Sequence, residues 1–80
     1  MLKLDRQIEA LESVLEKIEE KIETLEEKKQ NIYYNAIDHD RDLTHVEKKR
    51  VDRIDEEIEE IEEVEDIIKN ALNYIMEYVD

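Results

Sequence analysis

Asp38-His39-Asp40-Arg41-Asp42-Leu43-Thr44-His45-Val46-Glu47 is the stretch where one long helical pattern stops and another begins. Thr44-His45-Val46-Glu47 has the form of a capping box. The Thr44 hydroxyl can accept from the Glu47 N–H, and the Glu47 carboxylate can accept from the Thr44 N–H, so two orphan donors at a helix start are satisfied together. Asp38, Asp40 and Asp42 favour turns, because their side chains bond nearby backbone N–H groups. The pattern predicts a turn at about 38–43 between two helices. A connection that short forces the helices to lie antiparallel.

Asp38-x-Asp40-x-Asp42 also resembles the first half of a calcium loop. Leu43 then stands where such a loop needs Gly, and Lys49 where it needs a bidentate Glu. Nothing fixes His39 and His45 in a zinc geometry. A solvated, capped turn without metal is the expectation.

Upstream of the turn, apolar residues recur at spacings of three and four. With Ile8 as heptad position a, the a set is Met1, Ile8, Leu15, Ile22, Lys29 and Ala36; the d set is Leu4, Leu11, Ile18, Leu25 and Ile32. A sustained a/d seam predicts a coiled-coil helix over about residues 2–37. Lys29 interrupts the seam, either as a snorkelling lysine or as a specifier of register or partner. Tyr33 and Tyr34 fall beside the seam at e and f, one expected to flank the core near the turn and the other to be exposed.

Downstream, a second helix is predicted over about 44–79. Val51, Ile54, Ile58 and Ile61 make one stripe, continued by Ile68, Leu72, Ile75 and Val79 with Glu65 interrupting it. A second stripe runs alongside: Val64, Ile67, Ala71, Tyr74 and Tyr78, with Met76 adding apolar surface. A helix packed on a single neighbour needs one stripe. The second stripe predicts self-association, most simply two hairpins in a four-helix bundle. The alternative is one wide core face with the two tyrosines merely on the surface.

Composition agrees with this class. The 80 residues include no Gly, Pro or Cys, and 46% are charged. Few turns, a coiled-coil balance of charge and apolarity, and neither a disulfide framework nor a thiolate metal site follow. The expected fold is all-α, one helical hairpin over 1–80. No apolar run approaches the length needed to span a bilayer, and no apolar segment follows the N-terminal residues as in a secretory signal. A soluble, cytoplasmic protein is the expectation.

Net charge is −13, which argues against direct contact with nucleic acid or anionic membrane and suits a basic protein partner. The charge concentrates on the second helix. Asp52, Asp55, Glu56, Glu57, Glu59, Glu60, Glu62, Glu63, Glu65 and Asp66 face only Arg53 over fifteen residues. Such a run is either a solvated face or a docking strip about 20 Å long. Asp52, Asp55, Glu56, Glu59, Glu60, Glu62, Glu63 and Asp66 are the candidate partner-binding residues.

Glu59-x-x-Glu62 and Glu63-x-x-Asp66 have the carboxylate spacing by which helical nucleotide pyrophosphatases hold magnesium. In so Glu-rich a segment that spacing arises by chance, and these positions do not converge on a pocket. Ser13 has no nearby base, and no Gly-rich phosphate loop is present. No catalytic residue and no cofactor is expected, and a magnesium-dependent hydrolase remains a weak alternative.

Arg41-Asp42-Leu43-Thr44, then Glu47, Arg50, Asp52 or Asp55, and Glu56-Glu57-Ile58-Glu59-Glu60-Ile61-Glu62 resemble the N-terminal scaffolding segment, the delta domain, of tailed-phage major capsid proteins. The resemblance covers about residues 40–62 and implies an Arg-Asp-Leu-Thr turn joining two coiled-coil helices. Asp40 stands where that family commonly has Gly, and a free-standing hairpin rather than a capsid protein is the expectation. What the resemblance implies is a small phage-encoded hairpin acting in the host cytoplasm. By that reading it binds other proteins and inhibits a basic host defence or nucleic-acid-binding protein; the alternative is a purely structural scaffolding coiled coil.

Overall fold

A computed structural model describes residues 3–78. Helix α1 runs Lys3–Asp38 and helix α2 runs His45–Met76. The two pack against each other as a two-helix hairpin 57 × 17 × 14 Å in extent, and no strand forms among the described residues. Met1 and Val79, which the sequence places on the seam, lie outside the described residues.

The turn is built by two abutting caps. Thr44 is the N-cap of α2; its Oγ1 accepts from Glu47 N at 3.1 Å, and Thr44 N donates to Glu47 Oε1 at 2.9 Å. Arg41 adds a clamp that the sequence did not suggest. Its Nη1 and Nη2 donate to Glu47 Oε1 and Oε2 at 2.6 and 3.3 Å, and Nη1 also reaches Asp42 O. The Glu47 side chain is only 13% exposed. The Arg41 guanidinium, then the Thr44 N–H, hold its carboxyl down at about 2. Because the folded state depresses this pKa, the stabilisation is complete above the unfolded value near 4.5. It is lost as pH falls from there towards 2. Glu47→Gln is therefore expected to remove that part of the acid dependence of thermal unfolding, which circular dichroism melts between pH 2 and 6 would register.

The end of α1 departs from the sequence expectation. The helix continues through Asp38, and its cap uses backbone rather than aspartate side chains. Arg41 N donates to Ala36 O and Asp40 N to Ile37 O, the bond pair of a Schellman motif. That motif needs a left-handed residue after the helix, and Asp40 supplies it with φ 49°. Asp tolerates this region with a penalty that Gly avoids. Asp40→Gly is expected to stabilise the hairpin by about 0.5–1 kcal/mol, read as a higher thermal midpoint.

The seam holds in α1 and continues in α2 as Val51, Ile54, Ile58, Ile61, Glu65, Ile68, Leu72 and Ile75 at alternating a and d. Leu25, Ala36, Val51, Ile58 and Leu72 are buried; the other described seam residues are half-buried, except Leu4, which is just exposed. Two layers of helix cannot enclose a side chain from all sides, so no large side chain among the described residues is completely buried.

Two polar residues break the seam. Lys29 does not merely snorkel: its Nζ donates to Asp55 Oδ1 across the helices at 2.7 Å, and this bond raises the lysine's pKa above the ordinary value. Glu65 lies in the seam at 15% side-chain exposure, with Lys69 Nζ 3.8 Å away. A charged pair at an a position sets register while weakening the core. Lys29→Leu is therefore expected to raise the thermal midpoint while loosening the choice of oligomer, measurable by melting and light scattering together.

Candidate protein-interaction surfaces

The heptad register that buries the seam also sorts every other side chain onto one of two flanks. Lys28, Asn31 and Ile32 of α1 line one hollow together with Arg50, Arg53 and Ile54 of α2. These are g, c and d positions on both helices. Glu12 and Leu15 line a hollow on the other flank with Lys69, Leu72, Asn73 and Met76, which are e, a and b positions. The hairpin thus has a c/g flank and a b/e flank.

The second apolar stripe lies entirely on the c/g flank. Val64, Ala71 and Tyr78 occupy g positions, and Ile67 and Tyr74 occupy c positions. Ala71 is half-buried; Val64, Ile67, Tyr74 and Tyr78 are exposed, Ile67 by 67%. Helix α1 leaves Val64, Ile67, Tyr74 and Tyr78 uncovered. Tyr78 Oη donates to Tyr74 Oη at 3.3 Å, with ring centroids 5.3 Å apart, which ties the two rings together at the end of the stripe. That bond, then burial, raises the Tyr78 pKa. Met76, at e, points to the other flank and is not part of the stripe.

The acidic candidates divide by flank. Asp52, Asp55, Glu59, Glu62 and Asp66 fall on b and e, on one flank. Glu56 and Glu63 sit at f, on the outer ridge of α2. Glu60 sits at c, beside the apolar stripe. All eight are exposed, and Asp55 is engaged by Lys29. Lys48 and Lys49 stand three or four residues before Asp52, and Arg53 three or four before Glu56 and Glu57, yet none of these pairs forms among the described residues. The ion pairs are Lys29–Asp55, Arg41–Glu47 and Lys69–Glu65. Exposed helical-neighbour pairs are worth only a few tenths of a kcal/mol and leave long side chains free to extend into solvent.

Reading α2 alone missed half of each surface. In α1, Asp5, Glu9, Glu12, Glu16, Glu19, Glu23 and Glu26 all occupy b or e. They extend the acidic flank across both helices. Lys3, Lys17, Lys21 and Lys28 all occupy c or g, as do Ala10 and the exposed Val14. The signal was present in the seven-residue register, which assigns a flank to the charges as surely as it assigns the seam. The result is one flank almost uniformly acidic and one flank apolar at its open end and mixed in charge elsewhere. Like charges concentrated on one flank oppose folding, so the thermal midpoint is expected to rise when ionic strength goes from about 0.01 to 0.15 M. A fall would mean that the ion pairs outweigh the repulsion.

At the turn end, Tyr33 and Tyr34 are both exposed, contrary to the expectation that one flanks the core. Tyr33, at position e, lies among Glu26, Lys29 and Gln30 on the acidic flank. No group of three potential metal-ligating side chains comes together among the described residues. No described helix is long and apolar enough to cross a membrane. Comparison of the chain with family models, curated proteins and solved structures finds no match.

Proposed function

We propose that this chain is a non-enzymatic protein-interaction module: an antiparallel coiled-coil hairpin that pairs with itself through Val64, Ile67, Ala71, Tyr74 and Tyr78 into a four-helix bundle. The observation that carries this reading is the second apolar stripe. Helix α1 packs along the seam of α2, yet Ile67, Tyr74 and Tyr78 remain exposed. Contiguous apolar rows of this kind mark association sites, since burying each side chain recovers about 1.5–3 kcal/mol. The support for antiparallel pairing is that contacts run in opposite senses, Lys29 with Asp55 and Leu15 beside Lys69 and Leu72.

The acidic flank, facing away from the stripe, is the proposed docking surface for a basic protein. The resemblance of residues 40–62 to a phage scaffolding segment supports a phage-encoded module that binds and inhibits a basic host protein in the cytoplasm. Its net charge of −13 disfavours nucleic acid and anionic membrane as direct partners. The Glu59/Glu62 and Glu63/Asp66 pairs stand exposed on the convex helix surface, which supports binding rather than magnesium-dependent hydrolysis. The stripe alone equally supports a structural scaffold, in which the acids only keep the bundle in solution.

Light scattering on the purified chain tests self-association: a dimer supports the proposal and a folded monomer removes it. Reversing Asp52, Glu59, Glu62 and Asp66 to Lys separates the two roles. Loss of capture of basic proteins from host lysate, with helix content intact, is the expected result. Unchanged capture would leave only the scaffold.

A further inference from the structure

The c/g flank is self-complementary in only one orientation. We infer that two copies pair through it with their turns at the same end, helix α1 of each copy lying over α2 of its mate. The inference rests on the self-association proposed above and fixes its geometry.

The observed pairings give each residue a height along the hairpin. Lys29 is level with Asp55, and the hollow shared by Lys28, Asn31, Ile32, Arg50, Arg53 and Ile54 agrees with that register. Continuing that register, at residue sums within three of 84, puts Lys28 level with Glu57, Lys21 between Glu60 and Val64, Lys17 level with Ile67, Val14 between Ile67 and Ala71, and Ala10 level with Tyr74. Lys17, Lys21, Lys28, Glu57 and Glu60 enter no ion pair among the described residues. They are charges available to a second chain.

Two hairpins packed flank to flank admit two kinds of two-fold axis. With the axis along the helices, heights are kept and each α1 covers its mate's α2. Lys28 and Lys21 then face Glu57 and Glu60 of the mate, and Ala10 and Val14 close over its Tyr74, Ala71 and Ile67. With the axis across the helices, heights are inverted and α1 covers α1. Full overlap then sets lysines against lysines and the apolar stripe against Arg50 and Arg53 at the turn end. Shifting the copies to restore apolar contact leaves the turn halves of both hairpins unpaired. The first arrangement alone sets Ala10 and Val14 on the mate's Tyr74, Ala71 and Ile67, lays the Lys17 and Lys21 stems along Ile67 and Val64, and brings Lys21 and Lys28 to carboxylates; opposite charges meeting across an interface fix its register. It also leaves the acidic flanks on the two outer faces of the bundle, free for a partner. A back-to-front stack of acidic flank on c/g flank would satisfy the charges but place Ile67 and Tyr74 against carboxylates.

The 80 residues contain no cysteine, so Asp42→Cys in the turn takes a single nitroxide label. Pulsed dipolar spectroscopy on the dimer is expected to give a label separation below about 35 Å, since neighbouring helices in a bundle sit roughly 8–10 Å apart. A separation of about 50 Å or more, the length of α1, overturns the orientation while leaving self-association standing. A monomer by light scattering overturns both. In a second test, Lys21→Glu with Lys28→Glu is expected to weaken the dimer at least about tenfold, and adding Glu57→Lys and Glu60→Lys to restore it to within about threefold. No loss on the first reversal, or no recovery on the second, overturns the pairing.

Discussion

Ile67→Glu combined with Tyr74→Glu is expected to abolish self-association, weakening the dimer by about 100-fold or more. Both residues are more than half exposed in the single hairpin, so neither supports the α1–α2 seam. In an isologous interface each substitution removes two apolar side chains, one per copy, and the two substitutions together bring four new carboxylates into a desolvated surface. The transfer term alone, about 1.5–3 kcal/mol per buried side chain, exceeds the roughly 2.7 kcal/mol that a 100-fold change represents. Light scattering across a dilution series would show the variant as a monomer at concentrations where the parent is dimeric. The thermal midpoint of the parent should rise with protein concentration while that of the variant stays flat, because only association couples folding to concentration. A variant that still dimerises would mean that the stripe is covered by something other than a second copy.

The pattern of residues made the fold legible because two-helix packing has a single physical rule. A side chain is covered when it recurs at a and d. Ile8 through Ile32 in α1, and Val51 through Ile75 in α2, obey that rule, so all-helical packing of two long elements follows from periodicity. The capping box at Thr44 and Glu47 was legible for the same reason, since it depends on residues three apart in a fixed local geometry. What depended on non-local placement was not. Arg41 reaching Glu47 needs the chain to reverse first, and nothing in residue order distinguishes that bridge from other acid–base neighbours. The left-handed Asp40 was hidden because Asp is a general turn former and does not announce a positive φ as Gly does. The acidic residues were seen as a run along α2, although a helix presents them on three different sides. Their flank, and its extension onto Asp5 through Glu26, becomes visible only when charge is placed on the same register as the core.

Ile58→Ala is expected to destabilise the hairpin by about 2–4 kcal/mol, whereas Ile67→Ala in the same helix should change the intramolecular packing hardly at all. The two residues are chemically identical and nine positions apart; Ile58 is 8% exposed and Ile67 is 67% exposed. At Ile58 the loss combines removed transfer energy with a cavity that the facing half-buried side chains cannot close. Among the described residues only five are buried in the core, so little packing elsewhere offsets the loss. Removing one of the five should leave the chain largely unfolded at 37 °C at micromolar concentration, by circular dichroism. The effect of Ile67→Ala then becomes a gauge of association. If it destabilises only in proportion to protein concentration, the cost lies in the contact between copies. If it costs as much as Ile58→Ala at high dilution, Ile67 is covered within a single chain, and the apolar row along α2 is a broad intramolecular face rather than a surface for a partner.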